Sequence, residues 1–154
     1  AALQLTLSDG DLAEMAATAA DSLAGRFESS QLALERHLDP APVRADARWM
    51  HQVITNLLTN AAKFTPAGGR VVLSTGLDND RATLSVVDTG VGITADQLPH
   101  IFERFWRGSN PTGAAGSGVG LAVVAELVRG HGGETSVDST PGQGTAVVVS
   151  LPAA

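Results

Sequence analysis

At 154 residues the chain is long enough for one domain with a real core, and 44% hydrophobic against 17% charged is the balance of a soluble globular protein. A formal net charge of −6 argues against a nucleic-acid binder, which carries a basic patch. The absence of cysteine and the scatter of the four histidines exclude disulfides and leave no zinc-enzyme spacing.

No run approaches the roughly 18 apolar residues of a membrane span and no signal peptide opens the chain, so a cytoplasmic domain without membrane contact is expected. In chain order, Leu3, Leu5 and Leu7 alternate as a short opening strand. Ser8 and Asp11 resemble a capping pair for an amphipathic helix through Leu12, Met15, Ala16, Ala19 and Leu23 to about Arg26. Leu32, Leu34 and Leu38 suggest a strand closed by the turn Asp39-Pro40-Ala41-Pro42, and Val43 to Ala45 pair briefly. Asp46 then caps a helix that ends at Thr65-Pro66. Arg70 to Thr75 and Ala82 to Val87, joined by Asp78-Asn79-Asp80, read as a hairpin. Short helical pieces follow around Asp96 to Phe105, then a helix from Gly120 to Arg129. Thr135 to Asp138 and Ala146 to Leu151 form a second hairpin over Pro141-Gly142-Gln143-Gly144. Interleaved helices and late hairpins predict an α+β, two-layer sandwich: helices on one face of a mixed, mostly antiparallel sheet, in a single domain over residues 1–154.

The helix after Asp46 carries the first chemistry. Val53, Ile54, Leu57, Leu58 and Ala61 share an apolar face, while Asn56, Asn60 and Lys63 fall at i, i+4 and i+7 as a polar stripe. Asn is a mediocre helix former, so two of them here point to a task other than helix stability. Two amide oxygens and the sole lysine of the chain suit a metal-bound polyphosphate; the alternative is a buried helix with a wet edge. Asp88-Thr89-Gly90-Val91-Gly92-Ile93 leaves the strand Ser85-Val86-Val87. A carboxylate at a strand end can accept from an amino group such as adenine presents, and glycines after it permit close approach. Asp-Thr-Gly is also a common turn. Gly90 to Ala95 matches GxGxxA, but about twenty positions on, where a dinucleotide fold needs an acidic residue, lies the loop Gly108-Ser109-Asn110-Pro111. Gly113 to Gly120 reads GAAGSGVG and runs directly into an apolar helix at Leu121, so its backbone N–H groups and the helix N-terminus suit a phosphate chain. Most Gly/Ser tracts are linkers. Phe102 and Phe105 pin a loop to the core, and Arg107, just before the tract, could reach terminal phosphate oxygens or simply be solvated.

Taken together, Asn56…Asn60…Lys63, Asp88-x-Gly90-x-Gly92, Phe102…Phe105 and Gly116-x-Gly118-x-Gly120 resemble the N, G1, F and G2 boxes of the catalytic ATP-binding domain of bacterial sensor histidine kinases, over nearly the whole chain. The resemblance implies the Bergerat-type ATP-binding fold with ATP and Mg²⁺. It implies Asn60 as the Mg²⁺ ligand, Asn56 beside it near the phosphates, and Lys63 on phosphate oxygens; Asn56, Lys63 and Arg107 would be the catalytic residues. Asp88 would bond the adenine amino group, with Gly90, Gly92 and Ile93 shaping that pocket and Phe64 near the base or sugar. An ATP lid would span about residues 106–119; Gly116, Gly118 and Gly120 would let it close over the triphosphate, and Ser117, Val119 and Leu121 would join them in binding the nucleotide. Gly142-Gln143-Gly144-Thr145 looks like a late motif of the superfamily, placing Thr145 on the adenine side.

This kind of kinase phosphorylates a histidine in a motif resembling His-Glu-Leu-Arg-x-Pro on a dimerisation domain, and none of His37, His51, His100 or His131 has that setting. All four read as surface or turn residues. The expected partners are a phosphoacceptor histidine domain from elsewhere and, indirectly, a response regulator. ATPases and serine kinases of the superfamily place a glutamate where Asn56 stands, as a base for a nucleophile that must lose its proton. They are the alternative, together with a non-catalytic ATP-binding module.

Overall fold

The computed structural model describes residues 4–96, 98 and 120–154. Their order is β1 (Ser8–Asp11), α1 (Leu12–Ser29), β2 (Ala33–Leu38), β3 (Pro42–Ala45), α2 (Ala47–Phe64), β4 (Arg70–Asp78), β5 (Arg81–Asp88), α3 (Gly120–Gly130), β6 (Glu134–Thr140) and β7 (Gly144–Pro152). Five strands form one mixed sheet in the order β2-β4-β5-β7-β6. Only the β2–β4 pair is parallel. In β4 and β5 alternate residues are buried, so one sheet face meets the helices. Val71, Leu73, Leu84, Val86, Val147 and Val149 from that face join one core with Leu12, Ala16 and Phe27 of α1, the apolar face of α2, and Val124, Leu127 and Val128 of α3. The architecture is the expected α+β sandwich.

The first strand departs from expectation. Residues 4–7 are not a strand; β1 is Ser8-Asp9-Gly10-Asp11, which pairs antiparallel with β3 in a separate two-stranded sheet. Nothing in four small polar residues favours a strand, and the pairing partner supplies it. The cap of α1 is Asp11, whose carboxylate accepts from the Ala13 N–H (2.8 Å). The helix also runs past Arg26 to Ser29. Its stop is a Schellman arrangement in which the Leu32 N–H donates to the Phe27 carbonyl (2.9 Å) and the Gln31 N–H to that of Glu28 (3.0 Å). Gln31 takes the left-handed conformation there, at φ 59°, and the buried Phe27 and Leu32 close the turn.

Asp46 caps α2 as expected and does more. It is 5% exposed, and its carboxylate accepts from the N–H groups of Trp49 (3.4 Å) and Thr6 (2.9 Å). The Thr6 bond is the chief reason its carboxyl sits below the ordinary carboxylate range. Its own N–H donates to His131 Nε2 (3.1 Å), and His131 Nδ1 lies 2.7 Å from the Leu127 carbonyl. A carbonyl can only accept and an N–H can only donate, so His131 carries its proton on Nδ1 and is neutral. His131 is therefore a turn residue, as expected, but a buried one that joins α3 to α2 rather than a surface one.

Candidate functional site

Helix α2, the end of β5 and the segment after it carry most of the expected residues that lie among the described ones. On α2, Asn56 and Asn60 are half-buried and Lys63 is exposed near the C-terminus. The opposite face, Val53, Ile54, Leu57, Leu58 and Ala61, is buried, so the core fixes which way the stripe points. Gln52 extends the stripe by one turn. Its Nε2 donates to Asn56 Oδ1 (2.7 Å).

Asp88 ends β5 and is 8% exposed. Its Oδ1 accepts from the N–H groups of Gly90 (2.8 Å) and Thr145 (3.2 Å). Among the described residues no hydrogen bond reaches Oδ2. Burial pushes its carboxyl above the ordinary carboxylate range, partly offset by the two backbone donors. The result is a carboxylate with one oxygen held and the other available to a donor.

The segment from Asp88 to Ile93 is fastened on three sides. The Val91 N–H donates to the Phe64 carbonyl at the end of α2 (3.1 Å), and the Thr89 N–H to the Arg70 carbonyl of β4 (3.1 Å). From the β6–β7 turn, the Gly142 N–H donates to the Val91 carbonyl (2.8 Å), while the Ile93 N–H donates to Ser139 Oγ (2.7 Å). The two glycines serve this fastening. A Cβ on Gly90 would collide with the Phe64 carbonyl, and one on Gly92, itself at φ +76°, with the Thr140 carbonyl. Their missing side chains leave room for other backbone rather than for a ligand.

Asp88, Phe64, Gly90, Gly92, Ile93 and Thr145 are thus drawn together by α2, β5 and the β6–β7 turn. Gly120 opens α3, and Leu121 packs into the core. Arg107, Gly116, Ser117, Gly118, Val119 and the lid of about 106–119 lie outside the described residues, as do Phe102, Phe105 and His100. Sequence reasoning missed two residues. Gln52 sits one helical turn before Asn56 and was legible as part of the stripe. Ser139 was not, because the expected strand stopped at Asp138 whereas β6 runs to Thr140.

Such a site offers a hydrogen-bond acceptor at one end and, on α2, neutral amide oxygens beside an ammonium. Asn60 supplies the kind of hard oxygen donor that Mg²⁺ takes alongside phosphate and water. Among the described residues no cluster of three His, Cys, Asp or Glu competes as a metal site.

Comparison with known families places this arrangement. The model of the family "Histidine kinase-, DNA gyrase B-, and HSP90-like ATPase" matches residues 45–154. The chain belongs to that family. Within it, the chain is similar to curated histidine kinases. The circadian input-output histidine kinase CikA of Synechocystis sp. is 44% identical over 70% of this chain and 15% of its own length. Sensor histidine kinase YkoH of Bacillus subtilis is 36% identical over 97% of this chain and 33% of its own. The chain therefore spans a third or less of these two relatives. Among solved structures, the mycobacterial sensor histidine kinase MprB superposes with TM-score 0.84 at 31% identity, covering 96% of this chain and 98% of that one. Full-length ShkA in complex with AMPPNP superposes with TM-score 0.86 at 30% identity, covering 100% of this chain and 32% of that one. The chain is thus an ATP-binding domain of histidine-kinase type.

Proposed function

We propose that this domain, taking the chain as one catalytic unit, binds Mg²⁺·ATP and donates the γ-phosphoryl group to a histidine on a separate phosphoacceptor domain or subunit. A response regulator would act downstream, in two-component signalling on the cytoplasmic side. The observation that carries the reading is Asp88: a buried carboxylate, locked through Oδ1 by two backbone donors and, among the described residues, open at Oδ2, is suited to the exocyclic amino group of adenine. Its relative ShkA was solved with AMPPNP, an ATP analogue, which supports the same assignment.

At the other end, Asn60 offers its amide oxygen to the metal, Asn56 lies one turn away beside the phosphates, and Lys63 neutralises phosphate oxygens as a point charge. Asn60 would hold the Mg²⁺, which would supply charge neutralisation at the phosphates during transfer. Arg107 and the glycine tract through Val119 complete the triphosphate contacts in this reading. The share of the chain in the reaction is positioning and charge neutralisation. Asn56 has no basic group, and its Oδ1 already accepts from Gln52. Water or a serine hydroxyl would find no base there, whereas a neutral imidazole attacks through its own lone pair.

Calorimetric titration of the purified chain with ATP, with and without Mg²⁺, and with GTP, tests this. Binding that is specific for ATP and weakens without the metal is expected. Equal binding of GTP removes the base assignment, and binding indifferent to Mg²⁺ removes the role of Asn60.

A further inference from the structure

The hydroxyl of Ser139 sits where three groups converge. It accepts from the Ile93 N–H (2.7 Å), lies 3.0 Å from the Gly144 carbonyl, and lies 2.8 Å from Thr145 Oγ1. A serine hydroxyl has one proton and two lone pairs. The Gly144 carbonyl can only accept, so the Ser139 proton goes there. The Ile93 N–H can only donate, so it takes one lone pair. One assignment of the remaining contact satisfies all three at once: Thr145 donates its hydroxyl proton to Ser139. Thr145 Oγ1 then presents lone pairs alone to whatever lies beside it.

What lies beside it is Asp88. The two residues are direct partners across the antiparallel β5–β7 pair, where facing side chains stand about 4.5–5.5 Å apart. The Thr145 N–H already holds Asp88 Oδ1 (3.2 Å). The base end is therefore lined by two acceptors, the Asp88 carboxylate and the Thr145 hydroxyl oxygen, and the second owes its polarity to Ser139. We infer that Ser139 is a specificity-determining residue which, by consuming the Thr145 proton, makes the pocket select purines with an amino group at position 6 over 6-oxo purines. The inference rests on the reading of Asp88 as the base contact. A 6-amino purine brings donors to this edge, or accepts a bridging water that donates onward to Thr145. A 6-oxo purine keeps a donor at N1 but turns its O6 acceptor against these acceptors, so the 6-position costs desolvation without a returned hydrogen bond. If Thr145 kept its own proton to give, it could satisfy that oxo group and the discrimination would fall.

The test compares Mg²⁺·ATP with Mg²⁺·ITP, inosine triphosphate, which differs at the 6-position and N1 protonation, by titration of the purified chain. Ser139→Ala should narrow the ATP-over-ITP preference by about five- to tenfold, the worth of one hydrogen bond. Ser139→Thr keeps the hydroxyl and should restore it. Thr145→Val should also narrow the preference, and Ser139→Ala on that background should change it no further. Equal weakening of both nucleotides by Ser139→Ala, with the ratio kept, would reduce Ser139 to a prop for the Ile93 backbone and overturn the inference. So would an unchanged ratio in Thr145→Val, which decides the matter even if Ser139→Ala does not fold. Failure of the underlying reading has its own sign: Asp88→Asn would then bind ATP as tightly as the parent chain.

Discussion

The two ends of the site are built by different means. At the base end, Asp88 is buried and the fastening is mostly backbone: Phe64, Arg70, Gly142 and Thr145 contribute main-chain groups to the segment from Asp88 to Ile93, and Ser139 adds its hydroxyl. At the phosphate end, Asn56, Asn60 and Lys63 are side chains on the open face of one helix, aimed only because the opposite face of α2 is in the core. In the proposed function the first arrangement would read a flat, rigid group whose hydrogen-bonding edge must be met at fixed geometry. The second would meet a flexible, charged chain that brings its own metal and water. Substitution at the base end should therefore act all or none, whereas substitution along the stripe should act by degrees.

The largest effect is expected at Asp88→Asn. The amide keeps an oxygen for the Gly90 and Thr145 N–H groups, yet offers N–H where the adenine amino group needs an acceptor. ATP affinity should fall by about two orders of magnitude or more. The fold should not suffer, since an ionised carboxylate no longer has to be buried. Calorimetry beside a thermal melt checks both, and a melt lowered together with affinity would mean that Asp88 is structural.

Acidification probes the same contrast without mutation. Burial raises the Asp88 carboxyl above its ordinary value of 3.8, so the folded state takes up the proton before the unfolded chain does. Between that raised value and 3.8 the folded state binds more protons, and this group favours folding increasingly as pH falls. ATP affinity should move the other way, falling by up to about tenfold per pH unit once the carboxylate is protonated. The lowered Asp46 acts in a separate window: its stabilisation is present above 3.8 and is lost only as pH falls through its folded value. Opposed trends in melting temperature and ATP affinity over the upper window are the expected signature. Parallel decline would assign the loss to phosphate protonation or unfolding.

How these ends could be read in the sequence follows the same division. Helix periodicity placed the α2 stripe and its buried face correctly, because one helix determines both. The Asp46 cap and both hairpins were legible for the same local reason. What was not legible depended on distant chain. β1 has no strand character of its own and exists through pairing with β3. The stop of α1 uses Gln31 at φ 59° where a glycine would have announced it. His131 reads as a turn residue among glycines until α2 supplies the Asp46 N–H that it accepts. Asp88 was readable as a carboxylate at a strand end, but its lock by Thr145 requires the register of β5 with β7, and Ser139 requires the register of β6 with β7 as well.

A middle-sized effect is expected along the stripe. Asn60→Ala removes one amide oxygen from the metal side and should cost about tenfold in Mg²⁺·ATP affinity, with little change for ATP in excess chelator. Alanine is the better helix former, so the melt should hold or rise slightly. Loss of equal size with and without Mg²⁺ would move Asn60 from the metal to the phosphates or to the helix itself.

The smallest effect should come from Gln52→Ala. Gln52 is exposed, and the one described hydrogen bond of its side chain is the 2.7 Å contact from Nε2 to Asn56 Oδ1. It acts only by orienting the Asn56 amide, an i, i+4 pair of the sort worth a few tenths of a kcal/mol on an open helix face. Its loss lets that amide sample other rotamers without deleting any group that meets ATP. The expected change is about two- to threefold in ATP affinity, with ATP-over-GTP selectivity unaltered because the base end is fastened independently. Gln52→Glu tests the orientation more sharply, since a carboxylate cannot donate to Asn56 Oδ1 and brings negative charge toward the phosphates. It should weaken binding more than Gln52→Ala, and the excess should shrink at high salt. If either variant changed base selectivity, the two ends would be coupled through α2, and the independence drawn from their construction would be wrong.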